Sequence, residues 1–193
     1  MVVINQSTTL KPSLLKFIRH LWVFLIAICL ISYFFNPDLF SRTAIANYIS
    51  EYDYAILIYL SIHIIRGFFL LPSTPLVFAG IIAFPSQLFL VLMISLFGIL
   101  CSSLLIYFFS DKLGFSQFLS KHKKKTAYLK HKLNGKHGFI YIIGWAFFPF
   151  VPTDLICYLA GALKINLAIF LISIFIGELV LCSIYIYGCA YFL

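Results

Sequence analysis

Two proline-bearing breaks constrain this chain more than any other feature. Leu71-Pro72-Ser73-Thr74-Pro75 and Pro149-Phe150-Val151-Pro152-Thr153-Asp154 each interrupt a long apolar stretch, about 80 residues apart. A proline inside a helix removes a backbone donor and crowds the preceding turn, so each break leaves amides and carbonyls without helical partners. In hydrocarbon such backbone is tolerated only where protein or a water-filled cavity satisfies it. Breaks at matching positions in two halves of a chain point to a central binding site of the transporter kind.

The remainder of the chain excludes an ordinary soluble domain. Hydrophobic residues make up 63% and charged residues 10% of the 193 positions, with a mean hydropathy of +1.05, the composition of a multi-pass membrane protein. A net charge of +8 would suit nucleic acid if it were spread over a polar surface, but eight of the fourteen Lys and Arg fall between Lys112 and Lys136. Clustering of that kind is a topology bias, and no nucleic-acid partner is expected. Cys29, Cys101, Cys157, Cys182 and Cys189 stand in apolar runs without metal-ligand spacing and read as packing residues. No metal or cofactor is expected. Lys11, Lys16 and Arg19 ahead of Leu21–Phe35 resemble the start of a signal peptide, but Ala44-Ile45-Ala46 lies too far on to serve as its cleavage site. The segment reads as an uncleaved first anchor.

The expected fold is an all-α integral membrane protein, an inverted repeat of two re-entrant helical hairpins with about three full transmembrane helices. Residues 1–20 form a cytoplasmic N-terminal segment, and residues 21–193 a single membrane domain. Full spans are expected at Leu21–Phe35, Ser86–Phe109 and Ile165–Leu193, with residues 36–53 as a short connection. Tyr54–Leu71 and the arm from Pro75 to Pro85 are awkward as separate crossings. The second covers roughly 15 to 20 Å at ~1.5 Å per residue, against a hydrocarbon core of about 30 Å. A hairpin entering and leaving on one side fits that length, and Phe139–Phe148 with the arm through Tyr158 to Gly161 repeats the plan. Pro72 then aligns near Pro152, Gly80 near Gly161, Gly98 near Gly177 and Tyr107 near Tyr187.

Ser95, Gly98 and Ser102 place small side chains on one face of the central span, where another helix can approach. Over residues 110–137, Phe115, Phe118, Leu119, Leu129 and Leu133 recur at helical spacing among lysines, the pattern of a basic amphipathic helix on the cytoplasmic membrane surface. Lys121, Lys123, Lys124, Lys125, Lys130 and Lys132 are its candidate contacts to anionic lipid. Counting crossings puts the N-terminus, the lysine segment and Lys164 in the cytoplasm and the C-terminus outside, with the hairpins entering from opposite faces.

Four ionisable residues, His63, Arg66, Asp154 and Glu178, stand in apolar surroundings. An Arg or Asp at mid-helix costs roughly 2.5 to 3.5 kcal/mol on insertion scales, so such groups face a bundle interior and mark a pathway or a pair. The planar fork of Arg66, one turn from His63, suits a phosphate-like head group or a buried carboxylate; snorkelling to the interface is the plainer alternative. Thr153 and Asp154 open a helical arm whose free amides they could cap. Asp154 and Glu178 are also placed to exchange protons during movement of a substrate. His63 reads as a hydrogen-bonded core residue. The sequence has no Gly-rich phosphate loop, no His/Glu metal pair on a helix and no nucleophile with an evident base, so an enzyme is not expected.

The stretch from Arg66 through Pro72 and Pro75 to Gly80, with Gly98 and Tyr107 downstream, resembles the first half of the VTT-domain (SNARE-associated Golgi protein, DedA) superfamily. Phe147-Phe148-Pro149-Phe150-Val151-Pro152-Thr153-Asp154, followed by Tyr158 and Gly161, resembles the second hairpin of its Tvp-type branch. The likeness covers about residues 50–190. Ala146 stands where the family usually has an Arg, Asp154 where it has an Asn, and Pro85 where it often has a Gly. The resemblance implies paired re-entrant hairpins meeting at mid-membrane and movement of lipids between leaflets. Eukaryotic relatives are regarded as phospholipid scramblases, and some bacterial relatives as proton-dependent translocases of an undecaprenyl phosphate carrier.

The leading expectation is therefore lipid translocation, by a scramblase or a proton-coupled flippase, in a bacterial cytoplasmic membrane. Arg66, Asp154, Glu178 and His63 would line the path, and Pro72, Pro75, Pro149, Pro152, Gly80, Gly161 and Tyr158 would shape the hairpins. Membrane lipids, either polyprenyl phosphate or anionic phospholipid, are the expected partners, and a homodimer is one way to complete a site built on few spans. A small-ion or oxyanion transporter and a non-transporting membrane organiser stand as alternatives.

Overall fold

The computed structural model describes residues 12–110, 112, 113, 115, 119, 123–149 and 151–190, and among these every regular element is a helix. Lys11, Phe118, Lys121, Phe150 and Leu193 lie outside the described residues, as do the side chains of Lys123 and Lys125.

Helix α1 (Pro12–Phe35) stops at Asn36-Pro37, because the residue before a proline is pushed out of the helical region. After a 3-10 turn at Pro37–Phe40 comes α2 (Arg42–Ser50). Ser41 caps it: the hydroxyl accepts from the Ala44 amide at 3.2 Å and donates to the Asp38 carbonyl at 2.7 Å. Residues 36–53 are thus not a plain connection. Ala46 and Ile49 of α2 are buried, and the helix lies along α4 (Thr74–Ala83).

The first break follows α3 (Ala55–Arg66) and a 3-10 turn at Gly67–Phe69. It closes on Leu70, whose φ of 58° is left-handed. The Leu71 amide donates to the Arg66 carbonyl and the Leu70 amide to the Gly67 carbonyl, both at 3.3 Å, which is a Schellman motif with leucine at the position glycine normally takes. Helix α4 then begins with Pro75 in its first turn, where a missing N–H costs nothing. Helix α5 (Leu88–Phe109) and the polar α6 (Lys123–Asn134) follow. The second half runs through α7 (Gly138–Phe147), the break at 148–152, α8 (Thr153–Leu163) and α9 (Leu167–Ala190). Helix α8 ends as the 3-10 turn at Gly67–Phe69 does, on a left-handed residue, Lys164 at φ 54°, with the Ile165 amide donating to the Ala160 carbonyl at 3.0 Å.

Among the described residues two helices are long and apolar enough to cross a bilayer, Leu88–Phe109 and Leu167–Cys189. The third expected span, Leu21–Phe35, lies within α1 as continuous helix, and the apolar stretch Arg19–Phe35 is about 25 Å long.

The long helices α5 and α9 lie against one another, with α3 on α5 and α7 on α9. The second arms cross over, α8 packing on α5 and α4 on α9. Each long helix therefore holds the first arm of its own half and the second arm of the other. Equivalent glycines set the close approaches. A Cβ on Gly98 would stand 2.5 Å from the Cβ of His63 on α3, and one on Gly177 would stand 2.7 Å from the Cβ of Ala146 on α7. The small face expected on α5 does meet α3: Ser95 shares a 2.8 Å hydrogen bond with the Tyr59 hydroxyl, and Ser102 lies against Gly67. Gly80 and Gly161 admit the Tyr59 hydroxyl and the Tyr107 carbonyl.

The polar segment departs from expectation in what its apolar side chains face. Leu113, Leu119 and Leu133 are buried within the protein, and Phe115 stacks on Tyr158 with ring centroids 4.5 Å apart. Within 110–137, helix α6 covers Lys123–Asn134, and Phe115 and Leu119 are also helical. Lys124 and Lys130 are exposed, and Lys132 is half-buried, its ammonium 4.2 Å from the centre of the Tyr141 ring.

Candidate functional site

Arg66 occupies the last turn of α3, at the edge of the first break, and Asp154 the first turn of α8, just past the second. Their side chains meet across 88 residues of sequence: Arg66 Nη1 donates to Asp154 Oδ2 at 2.9 Å, with the side chains 5% and 3% exposed. That burial rules out snorkelling for Arg66. Nη1 also donates to the Leu71 carbonyl at 3.1 Å, so the guanidinium satisfies an acceptor that the break leaves free. Gly67 makes the approach of the halves possible, since a Cβ there would stand 2.7 Å from Asp154 Oδ1 and overlap Ser102 Oγ.

Neither Thr153 nor Asp154, either of which could have capped the arm, holds its N-cap position. Pro152 holds the N-cap position of α8 without a side-chain cap, while the Thr153 hydroxyl donates to Glu178 Oε1 at 2.6 Å. Glu178, on α9, is 1% exposed and lies 3.8 Å through its other oxygen from Cys182 Sγ. Consecutive residues of α8 thus tie a cation from the first half to a carboxylate from the last helix. The result is one cluster with one cation and two carboxylates. Cys157 fills the space beneath it, donating toward the Thr153 carbonyl at 3.2 Å.

His63 differs from the expected hydrogen-bonded core residue. It is fully buried, edge-on to Tyr59 at 4.7 Å, and neither ring nitrogen has a hydrogen-bond partner in the protein. Arg66 Nε, Arg66 Nη2 and Ser102 Oγ are likewise without protein partners. Buried polar groups are seldom left so, and a cluster of them marks a place for water or ligand.

Space adjoins that cluster. A cavity of about 290 Å³ is lined by Arg66, Ser73, Thr74, Pro149, Pro152 and Thr153, among others. Both breaks therefore border it, and so do the N-terminal ends of α4 and α8. First-turn amides lack intrahelical partners, and the positive end of the helix dipole favours anions there. A second chamber of about 410 Å³ reaches Arg66 and Pro72 from the side of α2. Glu178 and His63 line neither chamber.

Side chains from α1, α7 and α8 also hold the backbone of the breaks. The Phe68 carbonyl, in the first break, accepts from Trp22 Nε1 of α1 at 3.1 Å and from the Tyr158 hydroxyl of α8 at 3.3 Å. Trp145 Nε1 donates to the Pro152 carbonyl, in the second break, at 3.4 Å. A tryptophan near the end of an apolar run reads as an interfacial anchor, and no local signal tells that reading from this one.

An all-helical chain with two proline breaks, a buried ion pair joining them and two membrane-length helices defines the class of protein. The VTT domain family model matches residues 71–191, well over half the chain, and the chain belongs to the VTT domain family. The match identifies the domain and not a branch within it. No curated protein and no solved structure matches the chain. Family membership together with α5 and α9 fits an integral membrane protein.

Proposed function

We propose that this protein moves phosphate-bearing lipid head groups between the leaflets of a membrane, the head group passing between the two breaks while the acyl or prenyl tails stay in lipid. The observation that carries the reading is the cavity beside Arg66: a buried guanidinium with Nε and Nη2 free, next to the N-terminal ends of two helices. All three features favour an oxyanion. Aromatic and proline side chains, Tyr33, Phe34, Pro149 and Pro152 among them, make up much of the remaining lining, which suits an amphiphile better than a hydrated ion.

In this reading α3 with α4 and α7 with α8 are re-entrant hairpins of an inverted repeat, supported by the exchange of second arms between α5 and α9 and by the paired glycines 98 and 177. The N-terminus and the lysine segment lie in the cytoplasm, where Lys124, Lys130 and Lys132 face anionic lipid. With both carboxylates ionised the buried cluster carries one positive and two negative charges, and a single added proton makes it neutral. That arithmetic supports coupling of movement to protons through Asp154 and Glu178. Unchanged pH dependence in D154N and E178Q proteoliposomes would remove the proton role.

The deciding experiment follows a fluorescent phospholipid and a polyprenyl-phosphate analogue in proteoliposomes, with wild type beside R66A. Transbilayer movement of either lipid that R66A abolishes supports the reading. Folded wild-type protein that moves neither lipid, with or without a pH gradient, overturns it. An oxyanion transporter is the second reading, favoured by the same guanidinium and helix N-termini beside the cavity.

A further inference from the structure

Helix α2 brings a second cation to the same space. Arg42, the first residue of α2, lines a chamber of about 500 Å³ with Thr74, Pro149 and Tyr185. This chamber shares Tyr33, Pro72 and Thr74 with the one that Arg66 lines, so the two guanidinium groups border adjoining parts of one space.

Local energetics do not account for Arg42 at that position. A cation at a helix N-terminus opposes the macrodipole, and the first turn of α2 contains no acidic residue. Asp38, four positions earlier, makes no ion pair with it; the pair found among the described residues is Arg66 with Asp154. The Arg42 guanidinium stands 6.0 Å from the centre of the Phe78 ring, a contact that steadies the side chain against α4 without neutralising it. Burial of α2 rests on Ala46 and Ile49 instead. An exposed cation without an ion pair and the N-terminus of α4 thus meet at the chamber. Arg66, whose Nε and Nη2 are buried and without protein partners, lines the adjoining chamber.

The second half offers no cation of its own here. The offset of 80 that aligns Pro72 with Pro152 aligns Arg66 with Ala146, which is fully buried against Gly177. Arg42 puts a positive charge beside Pro149 from outside the repeat.

We infer that Arg42 is a second phosphate-binding residue of the cavity, receiving a phosphate-type oxyanion at the chamber beside Thr74 before it reaches the free face of Arg66. The inference rests on the lipid reading above and adds to it a second contact for the same head group. The chemistry is that of a phosphate ester or of free phosphate, and the two sources are separable.

The test measures binding to purified full-length protein in detergent by microscale thermophoresis, with dihexanoyl phosphatidic acid, inorganic phosphate and phosphate-free dihexanoylglycerol as probes. Wild type, R42Q, R42K and R66Q are compared, each checked by far-UV circular dichroism. Wild type is expected to bind phosphatidic acid and not the glyceride. Loss of one charge-assisted contact should weaken R42Q by roughly tenfold, while R42K, which keeps the charge, stays within about threefold. R42Q that binds like wild type while R66Q loses binding overturns the role of Arg42 and leaves the lipid reading standing. Equal affinity for inorganic phosphate, lost in R42Q, supports the site and assigns it a free oxyanion. Wild type that binds no phosphate probe overturns both.

Discussion

Replacing either member of the buried ion pair should destabilise the protein, and the third charge nearby makes the two losses unequal. Arg66→Met leaves Asp154 and Glu178 together without their cation and strips the Leu71 carbonyl of its donor. Removing one partner of a buried pair costs about 3 to 5 kcal/mol, and an orphaned buried acceptor about 1 to 3 more. Asp154→Asn is milder. It keeps the side-chain volume and one acceptor oxygen, and Arg66 still has Glu178 in its cluster, so a cost of about 1 to 3 kcal/mol is expected. In the double variant R66M/D154N the uncompensated charge falls from two carboxylates to one, and the cycle should show a coupling of about 2 to 3 kcal/mol. The assay is unfolding by sodium dodecyl sulfate in mixed micelles, followed by far-UV circular dichroism and extrapolated to zero denaturant. Costs that simply add, or an Asp154→Asn variant less stable than Arg66→Met, would refute the view that the three groups share one charge balance.

The same titration checks three further expectations. Lys164→Gly relieves a left-handed backbone at an exposed helix end and should stabilise by roughly 0.5 to 1 kcal/mol; no gain would place the strain elsewhere. Gly98→Ala and Gly177→Ala force apart helices already in contact and should each cost about 1 to 3 kcal/mol, whereas Gly144→Ala, with nothing within 4 Å of its new methyl, should fall within about 1 kcal/mol of wild type. Tyr158→Phe and Trp22→Phe should each cost about 0.5 to 1.5 kcal/mol and together more than their sum, because only the double variant leaves the Phe68 carbonyl with neither donor. In accessibility, Cys157 and Cys182 should resist water-soluble maleimide in the folded protein, both being almost fully buried; rapid labelling of either would contradict the closed packing beneath the ion pair.

The breaks were legible because proline chemistry acts locally: Pro149 follows the end of α7, Pro152 stands at the start of α8 and Pro75 in the first turn of α4, and the long helices begin within two residues of expectation, at Leu88 and Leu167. Arg66, Asp154 and Glu178 were legible as exceptions in apolar surroundings, and a carboxylate partner for Arg66 was foreseeable in kind. Its identity was not, since nothing local joins positions 66 and 154. Helix α2 was missed because nine residues of mixed polarity, Arg42-Thr-Ala-Ile-Ala-Asn-Tyr-Ile-Ser50, give too short a period to read, and its stability comes from the Ser41 cap and from burial against α4. Of the apolar stripe read in the lysine segment, Leu119 and Leu133 are buried and Phe115 and Leu129 pack against the core, while Phe118 lies outside the described residues. Periodicity names a face and not what it meets, and Phe115 meets Tyr158.

Trp22 and Trp145 are the two indoles of the chain, and each donates to a carbonyl in a different break. The protein thus has an intrinsic optical probe at each of its two irregular segments. In W145F the emission comes from the first break alone, in W22F from the second. A substrate that loosens one hairpin before the other would register as a colour change in one variant ahead of its counterpart, so the order of events inside the bilayer can be timed without attaching a label.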